Sequence, residues 1–240
     1  MDKLESLYGS FASHYDFIFP ENPKTLAFLK ESFPNGPLLD LGAATGSYAL
    51  GMAEIGLAVE GVDLDPKMIE LAKEKASSTS NNPQFKVMDI AMLDEDSFYQ
   101  GIYSIGNTIV HLKDKAAIKD LLERIYRALA KGGVMVLQII NYDRILRQRV
   151  TRLPDITNEG RRFIREYELY PEYVMFKTTL LYQHLRIEAN TKLIALCRQE
   201  LVENIKDVGF TDIELYGGYD KQDYKDNESY HLVVRAKKRA

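Results

Sequence analysis

Three acids that each close an apolar run are the residues best placed to organise a ligand. The first stands in Pro37-Leu38-Leu39-Asp40-Leu41-Gly42-Ala43-Ala44-Thr45-Gly46-Ser47, where two glycines four apart follow the acid. A strand ending here would deliver Asp40 to the carboxyl edge of a sheet, and Gly42 would let the chain turn sharply. Gly46 would remove side-chain bulk where the next helix begins, so that a ligand can lie close to backbone N–H groups. The spacing differs from the G-x-G-x-x-G of dinucleotide enzymes. The second acid, Asp63, ends Glu60-Gly61-Val62-Asp63 and lies 21 residues after Gly42. An acid that far on can accept both ribose hydroxyls of an adenosine ligand, with Leu64 and Met68 as apolar contacts for the base. The third is Asp89, in Lys86-Val87-Met88-Asp89-Ile90. His111 follows, just past another strand edge, and titrates near neutrality, so it could take a proton from a reacting group.

The elements that must position these residues alternate. Asn22-Pro23 opens a helix with Leu26, Leu29, Lys30 and Phe33 at helical spacing, and the first 36 residues read as helix, aromatic turn, helix, closing at Pro34-Asn35-Gly36-Pro37. Strands are expected at 38–41, 57–62, 84–88, 99–105 and 134–140, with helices at 46–55, 66–77 and 114–130 between them. Asp65-Pro66 reads as an N-cap followed by a first-turn proline, and Asp114 as a second cap, with Ala117, Leu121, Ile125 and Leu129 on the buried face. Lys131-Gly132-Gly133 reads as a tight helix-to-strand turn. After residue 142 the period becomes two: antiparallel strands at 161–169, 172–184 and 186–196, joined at Pro171-Glu172 and at Glu188-Ala189-Asn190-Thr191. A helix at 198–208 ends at Gly209, and strands near 212–216 and 230–236 close the chain. The expected architecture is α/β, a Rossmann-like doubly wound seven-stranded sheet with its last strand antiparallel and an inserted antiparallel β cap. In domain terms this gives 1–142 as N-terminal lid helices and α/β core, 143–197 as the cap, and 198–240 as closing core elements.

The glycine turn with an acid two residues before it resembles motif I of the S-adenosylmethionine (SAM)-dependent methyltransferases, Asp-x-Gly-x-Gly-x-Gly, with Ala44 in place of the middle glycine. The motif, Asp63, Asp89, Gly106-Asn107 and Lys131-Gly132-Gly133 follow in the family's order over residues 37–140. The segment resembles the class I enzymes, especially the small-molecule group that looks like glycine N-methyltransferase. The resemblance implies SAM as cofactor and methyl transfer to N or O of a small-molecule acceptor. It implies cofactor contacts from Asp40, Gly42, Ala43, Ala44, Gly46, Asp63, Leu64 and Met68. It gives Asp89 the adenine amine, with Ile90 donating its N–H to the ring, and places Ser104, Gly106 and Asn107 at the methionine end. Gln100 stands where the family usually begins that strand with Asp. Phe11-Ala12-Ser13-His14-Tyr15-Asp16 resembles the N-terminal segment that folds over the methionine, which makes Tyr15 a lid and catalytic candidate. Asn107, His111, Tyr142 and Arg144 are the expected acceptor contacts, and His111 the candidate base; His184 and His231 read as packing.

Composition narrows the field. The 240 residues carry a formal net charge of −4, against a dedicated nucleic-acid binder. A single cysteine, Cys197, excludes a disulfide framework and suits a reducing cytoplasm. No signal peptide or long apolar span is visible, so neither membrane nor leader is expected. Asp94-Glu95-Asp96 reads as a solvated loop face, and no metal is expected. Seven arginines between 144 and 165 could recognise a carboxylate, a phosphate or an RNA backbone, or could form local ion pairs with Glu159, Glu166 and Glu168. Three alternatives stay open: a nucleic-acid methyltransferase, a NAD-dependent oxidoreductase, and a non-catalytic SAM-binding regulator. The oligomeric state is not readable.

Overall fold

The computed structural model describes residues 9–33, 35–79 and 82–240; the start of the expected N-terminal helix and Pro34 lie outside them. Strand β1 (Leu38–Leu41) is flanked by β2 (Val59–Asp63) and β4 (Tyr99–Ser104), with β3 (Gln84–Val87) outside β2 and β5 (Leu129–Ile140) outside β4. These five are parallel. Strand β11 (His231–Lys237) runs antiparallel to β5, and β10 (Thr211–Tyr216) pairs antiparallel with β11 at the edge. The sheet therefore has seven strands in the order β10-β11-β5-β4-β1-β2-β3, with the last strand reversed as expected. All four residues of β1 are buried, as its central place requires.

Helices α1 (Tyr15–Ile18) and α2 (Pro23–Ser32) precede β1. Helices α3 (Ser47–Ala53), α4 (Pro66–Ser77) and α5 (Lys115–Ala128) cross between the parallel strands. Asp65 caps α4 by accepting from the Lys67 and Met68 N–H groups. Asp114 caps α5 by accepting from the Ala117 N–H at 2.8 Å. The α5 stripe of Ile118, Leu121, Leu122 and Ile125 joins the core on one side of the sheet. Phe28, Met52, Ile69 and Ala72 fill the other side.

Four antiparallel strands form a second sheet: β6 (Arg152–Asn158), β7 (Arg161–Leu169), β8 (Tyr173–Tyr182) and β9 (Leu185–Ile194). Between β5 and β6 lies α6 (Tyr142–Arg147), and α7 (Arg198–Val208) follows β9. Strand β6 and helix α6 were not foreseen. The expected turn at Glu188–Thr191 is corrected: Ala189 and Asn190 pair with Thr178 and Lys177 inside the β8–β9 ladder, and the chain reverses at Gln183-His184. Lys131-Gly132-Gly133 is likewise not a helix-to-strand turn. It is an irregularity within β5, whose register against β4 shifts between Leu129 and Val134.

Candidate functional site

The carboxyl edges of β1, β2, β3 and β4 bring the expected residues together. Gly42, Ala44 and Gly46 all take positive φ (84°, 48° and 78°), which folds the chain sharply from β1 into α3. Ala44 holds a conformation usually left to glycine, and its N–H donates to Asp63 Oδ2 at 2.9 Å. The other turn donors are also engaged. Gly42 and Ala43 donate to the Val62 carbonyl at 2.8 and 2.9 Å, and Gly46 donates to the Ala43 carbonyl at 2.8 Å.

This revises the reason for the glycines. A Cβ on Gly46 would meet the Phe85 ring at 2.5 Å, and one on Gly42 would collide with the Thr108 side chain. Each glycine admits a neighbouring side chain rather than a ligand. With four N–H groups spent internally, the turn is not the phosphate cradle of a dinucleotide site. It fits a ligand without phosphates that brings hydroxyls to an acid, as the ribose of SAM would.

Asp63 stands at the end of β2, beside the turn. Its Oδ1 accepts the Asp65 N–H at 2.9 Å and its Oδ2 the Ala44 N–H at 2.9 Å. Burial pushes its carboxyl up, against the pull of the backbone N–H groups of Asp65, Ala44 and Leu64. Leu64 beside it is exposed, available as an apolar wall, whereas Met68 is buried. Asp89 lies exposed, two residues past the end of β3; its Oδ1 accepts the Ala91 N–H at 2.9 Å and caps the short turn Ile90–Met92.

Other expected contacts face inward. Asp40 is buried beneath the turn beside the Tyr103 hydroxyl, and burial pushes its carboxyl up to about 8, so it is a neutral acid at pH 7. Ser104 is buried and donates to the Leu41 carbonyl at 2.7 Å, which ties β4 to β1. Asn107 has φ 70°; its Oδ1 accepts the Ile140 N–H at 2.9 Å and its Nδ2 donates to the Tyr142 hydroxyl at 3.1 Å. Tyr142 has no exposed surface, so it supports Asn107 from the core instead of touching the acceptor. Gln100 is exposed near the amino end of β4, its N–H on the Pro37 carbonyl at 2.8 Å.

His111 ends a 3-10 turn (Thr108–His111) that packs against β9, at the junction of the two sheets. Burial lowers its pKa to about 4. Gly106 is exposed, and its N–H donates to Gln138 Oε1 at 2.7 Å. The same oxygen accepts from the Tyr219 hydroxyl at 3.3 Å, and the Tyr219 ring lies 6.1 Å from His231. His231 is therefore not packing alone: it stands at the carboxyl edge opposite Ile140, and burial lowers its pKa to about 4, helped by Arg165 and Arg144.

A residue beside the expected Tyr15 anchors the N-terminal segment. Asp16 accepts from Lys75 Nζ at 2.9 Å on α4 and makes a short hydrogen bond with the Thr45 hydroxyl of the glycine turn. On the other side, Arg161 of β7 donates to His14 Nδ1 at 3.1 Å, its guanidinium between the Phe17 and Tyr182 rings at 3.7 and 4.2 Å. Tyr15 packs on Phe19, within a cluster that includes Phe11 and Phe163. The segment is thus a strap that joins the glycine turn to the second sheet.

Residues 38–133 match the family model described as a methyltransferase domain. The glycine/sarcosine N-methyltransferase of Aphanothece halophytica is 22% identical over 215 residues, 83% of this chain and 76% of that protein. A SAM-dependent methyltransferase from Clostridium acetobutylicum superposes with a TM-score of 0.82 at 18% identity, covering 97% of this chain and 99% of that one. CcbJ of Streptomyces caelestis does so with 0.83 at 20% identity over the full length of both. The chain spans 55–62% of the length of the first curated relatives it matches. No helix among the described residues is long and apolar enough to cross a membrane. A strand order with one reversed strand and the matched region lead to one assignment: residues 38–133 match a methyltransferase domain, and the chain has the fold of the SAM-dependent methyltransferases it superposes on.

Proposed function

We infer that the protein binds SAM at the carboxyl edge of β1–β4 and transfers its methyl group to N or O of a small molecule held between the two sheets. The observation that carries this reading is the pair of acids Asp63 and Asp89 at the carboxyl edge, beside a turn in which four backbone N–H groups are already bonded internally. When bound, SAM supplies a methyl group already activated by the sulfonium, so the protein's work is alignment and exclusion of water. Asp63 would accept the ribose hydroxyls and Asp89 the adenine amine, with Leu64 and Ile90 flanking the base. The Gly42–Gly46 turn and Gly106 would border the methionine end, and Tyr15 on the strap would close over it.

His111 would face the acceptor. An imidazole with its pKa near 4 is uncharged at pH 7, so it can accept a hydrogen bond from an acceptor N–H or O–H and aim that atom's lone pair. Its low basicity argues against carrying the proton away, which solvent can do. A small acceptor, rather than nucleic acid, is supported by the arginines: Arg152 and Arg162 are already spent on Asp155. A cytoplasmic setting is supported by the lone Cys197, whose thiol burial pushes up to about 11.

Calorimetry tests the cofactor half of this reading. Wild-type protein should bind SAM and S-adenosylhomocysteine, and Asp63→Ala should weaken binding by roughly 100-fold, as two charge-assisted hydrogen bonds are lost. Unchanged affinity in the variant would remove Asp63 from the site. Labelled SAM offered with a metabolite pool should then yield a labelled small product.

A further inference from the structure

The seven arginines between 144 and 165 divide sharply by environment. Arg152 and Arg162 pair with Asp155, Arg161 is locked in the strap, Arg147 donates to Asn227, and Arg149 is exposed. Arg144 and Arg165 differ. Among the described residues neither forms an ion pair, and each has a buried Nε with no hydrogen-bond partner.

Both converge on one tyrosine. The Arg144 guanidinium lies 5.5 Å from the centre of the Tyr230 ring, and Arg165 Nη1 donates to the Tyr230 hydroxyl at 3.3 Å. Arg165 is held further by its Nη2, which donates to the Pro154 carbonyl at 2.8 Å. His231, whose ring is 4.7 Å from that of Tyr230, is kept neutral by burial first and by both cations with it. Two guanidinium groups thus share a half-buried region with tyrosines and an uncharged imidazole. Placing two like charges there without an acid is costly unless an anion joins them.

The location gives that anion a role. Contacts lead from the Gly106 turn toward the arginines: the Gly106 N–H and the Tyr219 hydroxyl both donate to Gln138 Oε1, and the Tyr219 ring lies 6.1 Å from that of His231. Arg144 comes from α6, directly after β5, while Arg165 comes from β7 of the second sheet. An anion between them would sit on the seam between the sheets.

We propose that Arg144 and Arg165 bind an anionic group, a carboxylate or a phosphate, carried by the methyl acceptor. The assignment rests on the methyl-transfer reading for the identity of the ligand as acceptor, though not for the site itself. The anion satisfies the two orphaned Nε–H groups, and paired guanidinium hydrogen bonds fix its orientation. With its charged end on the seam, the acceptor presents its nucleophilic atom toward the Gly106 turn.

Arginine Nε–Hε NMR of the full chain, in low-chloride buffer, tests the site directly, with acetate and methylphosphonate as probes. Two Nε signals should shift saturably; tighter saturation by acetate identifies a carboxylate, and by methylphosphonate a phosphate. Arg144→Gln and Arg165→Gln should each delete one of those signals and weaken the probe by roughly tenfold or more. Arg162→Gln should change nothing. Arg165→Lys, which keeps the charge but loses the fork, should fold normally and bind with intermediate affinity. Absence of saturable shifts, or variants that bind the probes as tightly as the wild type, would overturn the proposal. SAM calorimetry on the same variants keeps the two readings apart, since Arg144 and Arg165 lie away from Asp63 and its affinity should not move. Loss of SAM binding in wild type, with the anion site intact, would count against the methyl-transfer reading alone.

Discussion

Gly46 combines a left-handed backbone with a phenyl ring where its side chain would begin, and the two constraints can be separated. Gly132 has a similar φ of 73° with nothing near its missing Cβ, whereas Gly46 has the Phe85 ring at 2.5 Å. Gly132→Ala should therefore cost about 1 kcal/mol of backbone strain. Gly46→Ala should cost about 3 kcal/mol, because overpacking adds to the same strain. Urea denaturation measures both, and the double variant Gly46→Ala/Phe85→Leu should recover part of the loss. Equal costs at the two glycines would show that the ring does not matter. This is also where sequence reading runs short. A glycine four residues after another marks a sharp turn, yet nothing local says that Phe85, 39 positions on, fills the space. The place of Asp63 at the end of β2 was legible because a strand-end acid needs only its own strand to be placed. The burial of Ser104 and Tyr142 was not, because the same small or aromatic types serve a sheet seam or a core as readily as a pocket.

At the scale of elements, the N-terminal strap is the least self-sufficient piece. Four residues of α1 cannot sustain a helix alone, so its position depends on anchors at each end. The Asp16–Lys75 pair is partly exposed, with 44% and 33% of the side chains accessible, so its own contribution to global stability is small. Its effect should be local. Asp16→Ala should leave the thermal midpoint nearly unchanged, speed proteolytic nicking between residues 10 and 20, and weaken SAM binding by roughly tenfold. A variant nicked no faster than wild type would show that the aromatic contacts alone hold the strap. Such anchors join residues 59 apart and leave no local signal. By contrast α4 was legible to the residue, since Asp65 and Pro66 both mark its start. Strand β6 escaped because Pro154 and a single fully buried residue, Leu153, spoil its alternation; an edge position tolerates both.

For the molecule as a whole, three buried titratable groups set opposing limits on stability. His111 and His231 titrate near 4 in the folded chain and near 6.5 when unfolded. The unfolded chain therefore takes up two protons that the folded one refuses, and stability falls as pH drops from about 6.5 to about 4. Each histidine accounts for about 3 kcal/mol of that loss. Asp40 works the other way. Its carboxyl titrates at about 8 when folded and 3.8 when unfolded, so its favourable state is complete below 3.8 and is lost as pH rises to about 8. That slope is about 1.4 kcal/mol per pH unit. Between pH 4 and 6.5 the two histidines gain about 2.7 kcal/mol per unit while Asp40 loses half as much, so net stability rises. Above 6.5 the histidines no longer contribute, Asp40 acts in the same direction as Asp63, whose carboxyl is also pushed up by burial, and stability declines to about pH 8. Thermal melts across pH 4 to 9 should therefore peak near 6.5, and Asp40→Asn should make the alkaline limb shallower while leaving the acid limb in place. An alkaline limb unchanged by this substitution would mean that Asp40 is already ionised in the folded protein, and that the floor of the glycine turn carries a charge.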